Sequence, residues 1–219
     1  MPKQENIPIP RKSEKSELLD RGLFILNRLG LNIDDLKDKK ILDIGSGQAP
    51  LEFLLKQHGI NNIISIEKRL PWMSSDKELN QVNAKAESLP IRDGDIDLII
   101  THAGPPTTSR WKKYNEDKEI LNNEEKRIES YFDEFKRVLS KNGEARIAPT
   151  HLWFIYINNL NRIFQGKNKL NSSEQEALDI ITEEQSTNYL QKKYNISLHD
   201  NNLEKNDKNF SKYWVMKKE

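Results

Sequence analysis

The sequence predicts an α/β fold: a doubly wound, mostly parallel seven-stranded sheet closed by a C-terminal antiparallel strand pair. Three observations lead there. Short apolar runs alternate with segments of helical periodicity from Glu17 to Pro149. Those runs are apolar nearly throughout, as in parallel strands covered on both faces. The tail then changes to two alternating segments, "YNISLHDN" and "SKYWVMKK", joined by the polar run "NLEKNDKNF". So short a connection makes the last two strands antiparallel neighbours.

Each element has its own warrant. Residues 1–13 are polar with three prolines and read as a flexible arm, followed by a single domain over 14–219. Glu17 to Leu29 carries Leu18, Leu19, Leu23, Phe24, Leu26 and Leu29 near helical spacing, and Gly30 can end that helix. Lys40–Ile44 is the first strand. Pro50 suits the first turn of the helix Pro50–His58, which Gly59 closes. "NNIISIEKR" is a second strand ending in Glu67, Val82–Ala84 a short third, and Ile96 to about Thr101 a fourth. Ile128, Tyr131, Phe132, Phe135, Val138 and Leu139 share one helical face. Asn142-Gly143 then turns into a fifth strand, "EARIAP", and Leu152–Phe164 and Ser173–Lys192 read as further helices.

Composition narrows the function. The 219 residues are 35% hydrophobic and 32% charged, enough for one core under a very polar surface. The net charge of +1 gives no general attraction to nucleic acid or to anionic membranes. With no cysteine, disulfides, thiolate catalysis and thiolate metal sites are excluded. No apolar run approaches the ~20 residues needed to cross a bilayer. "MPKQENIPIPRKSEKSE" has no apolar centre and is not a signal peptide, so a cytoplasmic protein is expected. No His/Asp/Glu cluster shows metal-ligand spacing.

The chemistry-bearing stretch is "KKILDIGSGQAPLEFLL": strand, glycine turn, helix. This is a ligand cradle at the carboxyl end of a parallel sheet. A dinucleotide site would want a third glycine at position 50, where Pro50 stands. Glu67, at the end of the next strand, can accept hydrogen bonds from both hydroxyls of a ribose. The site therefore suits adenosine and is not shaped for a pyrophosphate.

Four blocks, "ILDIGSGQA", "IISIEKR", "AESLPIRDGDIDLIIT" and "FKRVLSKNGEARI", stand in the order and at the intervals of a known family. Here the sequence resembles the class I S-adenosylmethionine-dependent methyltransferases. The resemblance spans roughly Lys39 to Ile147, and the closing strand pair extends it to the C-terminus. It implies a Rossmann-like methyltransferase fold, S-adenosyl-L-methionine as cofactor and a transferase activity. It also implies roles. Gly45, Ser46 and Gly47 bring backbone under the methionine part of the cofactor. Asp43 lies near its ammonium group, Glu67 holds the ribose hydroxyls, and Ala86 and Glu87 lie at the adenine edge with Leu89 as an apolar neighbour. One position departs: where the family often has an adenine-binding aspartate, this chain has Lys85, which offers no acceptor.

Methyl transfer from a sulfonium expels a neutral thioether, so the enzyme mainly aligns nucleophile, methyl and sulfur, and a general base is optional. The acceptor pocket is expected over the ends of the fourth and fifth strands, in the segments "THAGPPTTSRW" and "PTHLWFIY". Their histidines, His102 and His151, are the candidate catalytic bases or orienting groups, with Trp111 and Trp153 as candidate walls. "GPPT" at Gly104–Thr107 lacks the acidic or amide residue and the aromatic of amino-methylating enzymes, which argues against adenine-amino methylation. The expected partner is a small-molecule methyl acceptor. The charge does not favour nucleic acid, no membrane is expected, and the oligomeric state is open. The alternative is a catalytically silent binding or scaffold protein of the same fold, which Lys85 motivates.

Overall fold

A computed structural model describes residues 14–69, 78–104, 118–148, 193–200 and 212–218. The expected arm over 1–13, the helices at 152–164 and 173–192, and the segments holding Trp111, His151 and Trp153 lie outside the described residues.

The sheet has seven strands: β1 (Ile41–Ile44), β2 (Ile63–Ile66), β3 (Gln81–Val82), β4 (Ile96–His102), β5 (Leu139–Ala148), β6 (Ile196–Asp200) and β7 (Lys212–Lys217). Their order is β3-β2-β1-β4-β5-β7-β6. The first five pair in parallel, and β7 runs antiparallel between β5 and β6. The predicted fold class is the observed one. The chain reverses its direction of travel at β1, whose two neighbours are β2 and β4. A crevice forms at the carboxyl ends of strands where a doubly wound sheet switches in this way.

Two clusters cover the faces. On one, α3 (Lys118–Val138) buries Tyr131, Phe132, Phe135 and Val138 against Leu42, Ile44, Ile99 and Ile147. Each such side chain contributes roughly 2 kcal/mol of apolar burial. On the other, α1 (Glu14–Arg28) and α2 (Pro50–Gln57) pack Ile25, Leu26, Leu51 and Leu54 over Ile41, Ile63, Leu98 and Ile100. Gly22 lets these two helices meet, because a Cβ there would lie 2.7 Å from the Pro50 carbonyl and 2.8 Å from Leu54 Cβ. No helix among the described residues is long and apolar enough to cross a membrane.

Two boundaries differ from expectation. Leu139, expected on the helical face, opens β5, and the Asn142-Gly143 turn is an irregularity inside that strand. Pairing jumps from Ile96↔Leu139 to Leu98↔Glu144. Asn142 takes φ 66°, and a Cβ on Gly143 would sit 3.0 Å from two backbone carbonyls. A turn dipeptide can therefore serve as a bulge when the strands on both sides stay paired. Likewise His102, expected in a loop, is the last residue of β4 and pairs with Ala148.

Candidate functional site

The glycine turn continues the β1–β2 ladder for two more residues. The Gly45 and Ser46 amides both donate to the Ile66 carbonyl, at 2.8 and 3.1 Å. Gly45 at φ 76°, Gly47 at φ 56° and Ala49 at φ 54° then wind the chain left-handedly into α2, with Pro50 in its first turn. A Cβ on Gly47 would meet nothing within 4 Å, so that face of the turn opens onto free space. Gln81 braces the turn from β3: its Nε2 donates to the Gly47 carbonyl at 2.8 Å and to Ser46 Oγ at 3.2 Å. Gln81 was missed at the sequence level, because a polar residue in a two-residue edge strand carries no signal by itself.

Glu67 follows β2 and is 6% exposed. Its Oε2 accepts from the Gly47 amide at 3.1 Å and its Oε1 from the Arg69 amide at 2.9 Å. Each carboxylate oxygen has two acceptor sites, so one per oxygen remains. The expected ribose ligand thus also ties the glycine turn to the end of β2.

Asp43 is the third residue of β1. The two-residue strand period puts it on the α1/α2 face with Ile41, where it is buried. Its Oδ2 is shielded from solvent and has no hydrogen-bond partner. Burial pushes its pKa up to about 7, with help from the carboxylates of Glu52 and Glu67. Glu52, on α2, is fully buried and well satisfied. It accepts from Ser65 Oγ at 2.7 Å and from the Asn80 amide, and pairs with Lys56 Nζ at 2.9 Å. Three buried carboxylates thus surround the turn. Among the described residues no group of three His, Cys, Asp or Glu side chains is placed to hold a metal ion.

The segment expected at the adenine edge is a tight turn from Lys85 to Ser88 beyond β3. Ala86 is buried against the cluster that holds Ile66 and Leu89. Glu87 Oε1 accepts from Tyr131 Oη at 3.2 Å, and the Lys85 side chain is exposed.

Across β1, the end of β4 carries His102. Its parity matches Leu98 and Ile100, so it lies on the same sheet face as Asp43, which pairs with Ile100. The imidazole stands edge-on to Phe24 of α1, with centroids 5.6 Å apart at 87°. His102 Nε2 is buried without a hydrogen-bond partner. Burial, and then the positive charges of Arg28 and Arg21, hold its pKa down at about 4, so it is neutral near pH 7. Past it, Ala103 takes φ 54° and Gly104 folds back onto the glycine turn. A Cβ on Gly104 would lie 2.5 Å from the Ile44 carbonyl and 3.2 Å from Gly45 Cα. The glycine of "GPPT" is therefore a packing requirement, since a side chain there would force the two loops apart. Asp97, at the far end of β4, has a structural role: it accepts from the Lys40 amide at 3.0 Å and from Ser140 Oγ at 2.8 Å.

The structure thus brings Asp43, Gly45, Ser46, Gly47, Glu67 and His102 to one end of the sheet. Ala86 and Glu87 lie past the end of β3, and His151 is outside the described residues.

No family model and no curated protein matches the chain. Solved structures do resemble it. One, described as a methyltransferase from an antibiotic biosynthesis pathway of Anabaena variabilis, is 17% identical with a TM-score of 0.46, over 83% of this chain and 64% of that one. A SAM-dependent methyltransferase from Thermotoga maritima is 14% identical with a TM-score of 0.47, over 94% of this chain and 93% of that one. A protein described as an S-adenosyl-L-methionine-dependent methyltransferase from Methanococcus maripaludis is 16% identical with a TM-score of 0.45, over 96% of each chain. The chain spans 64% of the Anabaena protein and 55% of a similar protein from Listeria monocytogenes. At these identities and scores, the roles of the residues rest on this chain's own geometry.

Proposed function

We propose that the chain is an S-adenosyl-L-methionine-dependent methyltransferase acting on a small-molecule acceptor. The observation that carries this reading is the field around the glycine turn. Asp43, Glu52 and Glu67 are all buried there, Asp43 Oδ2 lacks a partner, and Gly47 faces open space. A dinucleotide would bring a pyrophosphate to this turn, where the Asp43 and Glu67 carboxyl groups would disfavour it, the Glu52 charge being paired with Lys56. S-adenosylmethionine brings an ammonium and a sulfonium, which they would attract.

The residues present fit that cofactor. Asp43 would meet the ammonium group, directly or through water, and gain the partner it lacks. Glu67 has acceptor capacity left for a ribose diol. Gly45, Ser46 and Gly47 would let backbone approach the methionine part, and Ala86 with Leu89 would offer an apolar edge. Glu87 already accepts from Tyr131, and Lys85 is exposed, so packing rather than a carboxylate would hold the adenine. When bound, the cofactor supplies an activated methyl group. The chain's task is then to align a nucleophile and exclude water. His102 Nε2 can hydrogen-bond to the acceptor, as donor or acceptor by tautomer, and orient it. With a pKa of about 4 it is a weak base, so positioning outweighs proton removal.

Calorimetry of the chain with S-adenosylhomocysteine and with NADH tests the reading. Heat of binding from the first and none from the second is expected. Binding of neither would leave a scaffold of the same fold as the better description.

A further inference from the structure

The face of α1 above His102 is separate from the residues of the proposed cofactor cradle. Arg21, Phe24 and Arg28 stand three and four residues apart, which places them on one stripe of the helix. Gly22 fixes this stripe, because its missing side chain lets α1 touch the start of α2. Arg21 Nη1 also donates to Gln48 Oε1 in the glycine turn, at 3.2 Å. Phe24 is 52% exposed, an unusual position for a large apolar ring. The Arg28 guanidinium lies 5.3 Å from the centre of that ring, and His102 meets the ring edge-on.

The stripe therefore sets two guanidiniums and an open aromatic ring beside an imidazole nitrogen that has no partner. A protonated amine would meet like charge here. An acid would meet opposite charge in a half-buried place, where screening by solvent is weak. The same positive charge makes His102 a poorer base. A site that weakens its histidine as a base while supplying positive charge suits an acceptor that arrives already ionised.

Building on the methyltransferase reading, we propose that the methyl acceptor is a small acid. Its anionic group would sit between the Arg21–Phe24–Arg28 stripe of α1 and His102 Nε2, and its ionised oxygen would gain the methyl group as the methyl–sulfur bond breaks and the neutral thioether leaves, with no proton to remove.

The experiment titrates the full chain at pH 7 with benzoate, benzyl alcohol and benzylamine, with and without S-adenosylhomocysteine, following the ring signals of His102 by NMR. Benzoate should shift those signals and bind at least tenfold more tightly than benzylamine. Arg28→Gln should weaken benzoate about tenfold and leave S-adenosylhomocysteine unchanged, with Arg28→Lys recovering part of the loss. Arg28 is buried, so Arg21→Glu at an exposed position gives a second measure should the glutamine variant fail to fold, and it too should weaken benzoate. Benzylamine binding as tightly as benzoate, benzoate indifferent to both arginine changes, or no benzoate binding in the millimolar range would each overturn the proposal. Failure of S-adenosylhomocysteine to bind would instead overturn the methyltransferase reading, and the cofactor-free titration would still decide the preference for an acid.

Discussion

The two sides of the crevice are built with opposite charge. On the β1–β2 side, Asp43, Glu52 and Glu67 are buried around the glycine turn. On the β4 side, Arg21 and Arg28 flank His102. Each side carries a buried titratable group with an atom that lacks a hydrogen-bond partner, Asp43 Oδ2 and His102 Nε2. Burial works on both groups and favours the neutral form in each. It raises the pKa of the acid and lowers that of the base, and like-charged neighbours add to both shifts. The difference teaches that burial moves an acid and a base on adjoining strands in opposite directions, the Asp43 carboxyl up to about 7 and the His102 imidazole down to about 4. Each is ready for a ligand group of the charge its neighbours attract.

Stability measured against pH separates the two sides. The Asp43 carboxyl is raised from 3.8 to about 7, so its contribution is complete below about pH 4 and is lost as the pH rises through 7. His102 is lowered from 6.5 to about 4, so its contribution is complete above about pH 6.5 and is lost as the pH falls through 4. Between those limits the slopes oppose one another. Asp43→Asn should remove the falling slope, a difference on the order of 4 kcal/mol across the window. His102→Gln should remove the rising one, on the order of 3 kcal/mol. Urea denaturation of the ligand-free chain and both variants at pH 4.5 and 7 reads this. Parallel profiles in all three would break the comparison.

The joint between the sides is Gly104. Gly104→Ala should destabilise the chain by about 1–3 kcal/mol, since the methyl group would overlap the Ile44 carbonyl. A melting temperature equal to the parent's would show that the two loops do not meet as described.

Glu67 sharpens the acidic side. Glu67→Gln keeps one acceptor oxygen for the turn but loses the charge-assisted contact. S-adenosylhomocysteine should bind ten- to hundredfold more weakly, about 1.5–3 kcal/mol. Glu67→Ala should in addition cost about 1–3 kcal/mol of folding stability, because the Gly47 and Arg69 amides lose their acceptor. This revises the simpler expectation that Glu67 serves a ligand alone. Unchanged affinity in the glutamine variant would remove Glu67 from the cofactor site.

The remaining test falls on the basic side. Once an acceptor is found, His102→Ala should lower kcat and leave cofactor affinity nearly intact. The loss should stay near the lower end of the ~10²–10⁴-fold range of general bases, as suits a group that mainly orients. The pH profile of the parent should show no histidine limb near 6.5. Such a limb would place the imidazole in a wetter site than the one described.

The strands, the helix faces and the glycine turn were legible in the sequence because they rest on local periodicity and on glycine's access to positive φ. The acid after β2 was legible for a related reason: strand and turn lengths fix where Glu67 must emerge. The stripe on α1 is visible in the sequence as Arg21, Phe24 and Arg28 at helical spacing, but only the fold sets it beside His102. Gln81 and Gly104 had no such signal. Their partners, Ser46 with Gly47 and Ile44 with Gly45, lie far along the chain, and contact between them exists only once β3 and β4 are in the sheet.

By itself, then, the sequence determined the layered α/β plan and the places of the glycine turn and of Glu67 at the strand ends. These follow from apolar spacing and torsional freedom, which act between near neighbours. Only the tertiary structure decided the directions in which the Asp43 and His102 pKa values shift, the ties of Glu67 to the Gly47 and Arg69 amides and the positive charge beside His102. Those depend on which groups are buried together, and burial and Coulomb interaction act through space rather than along the chain.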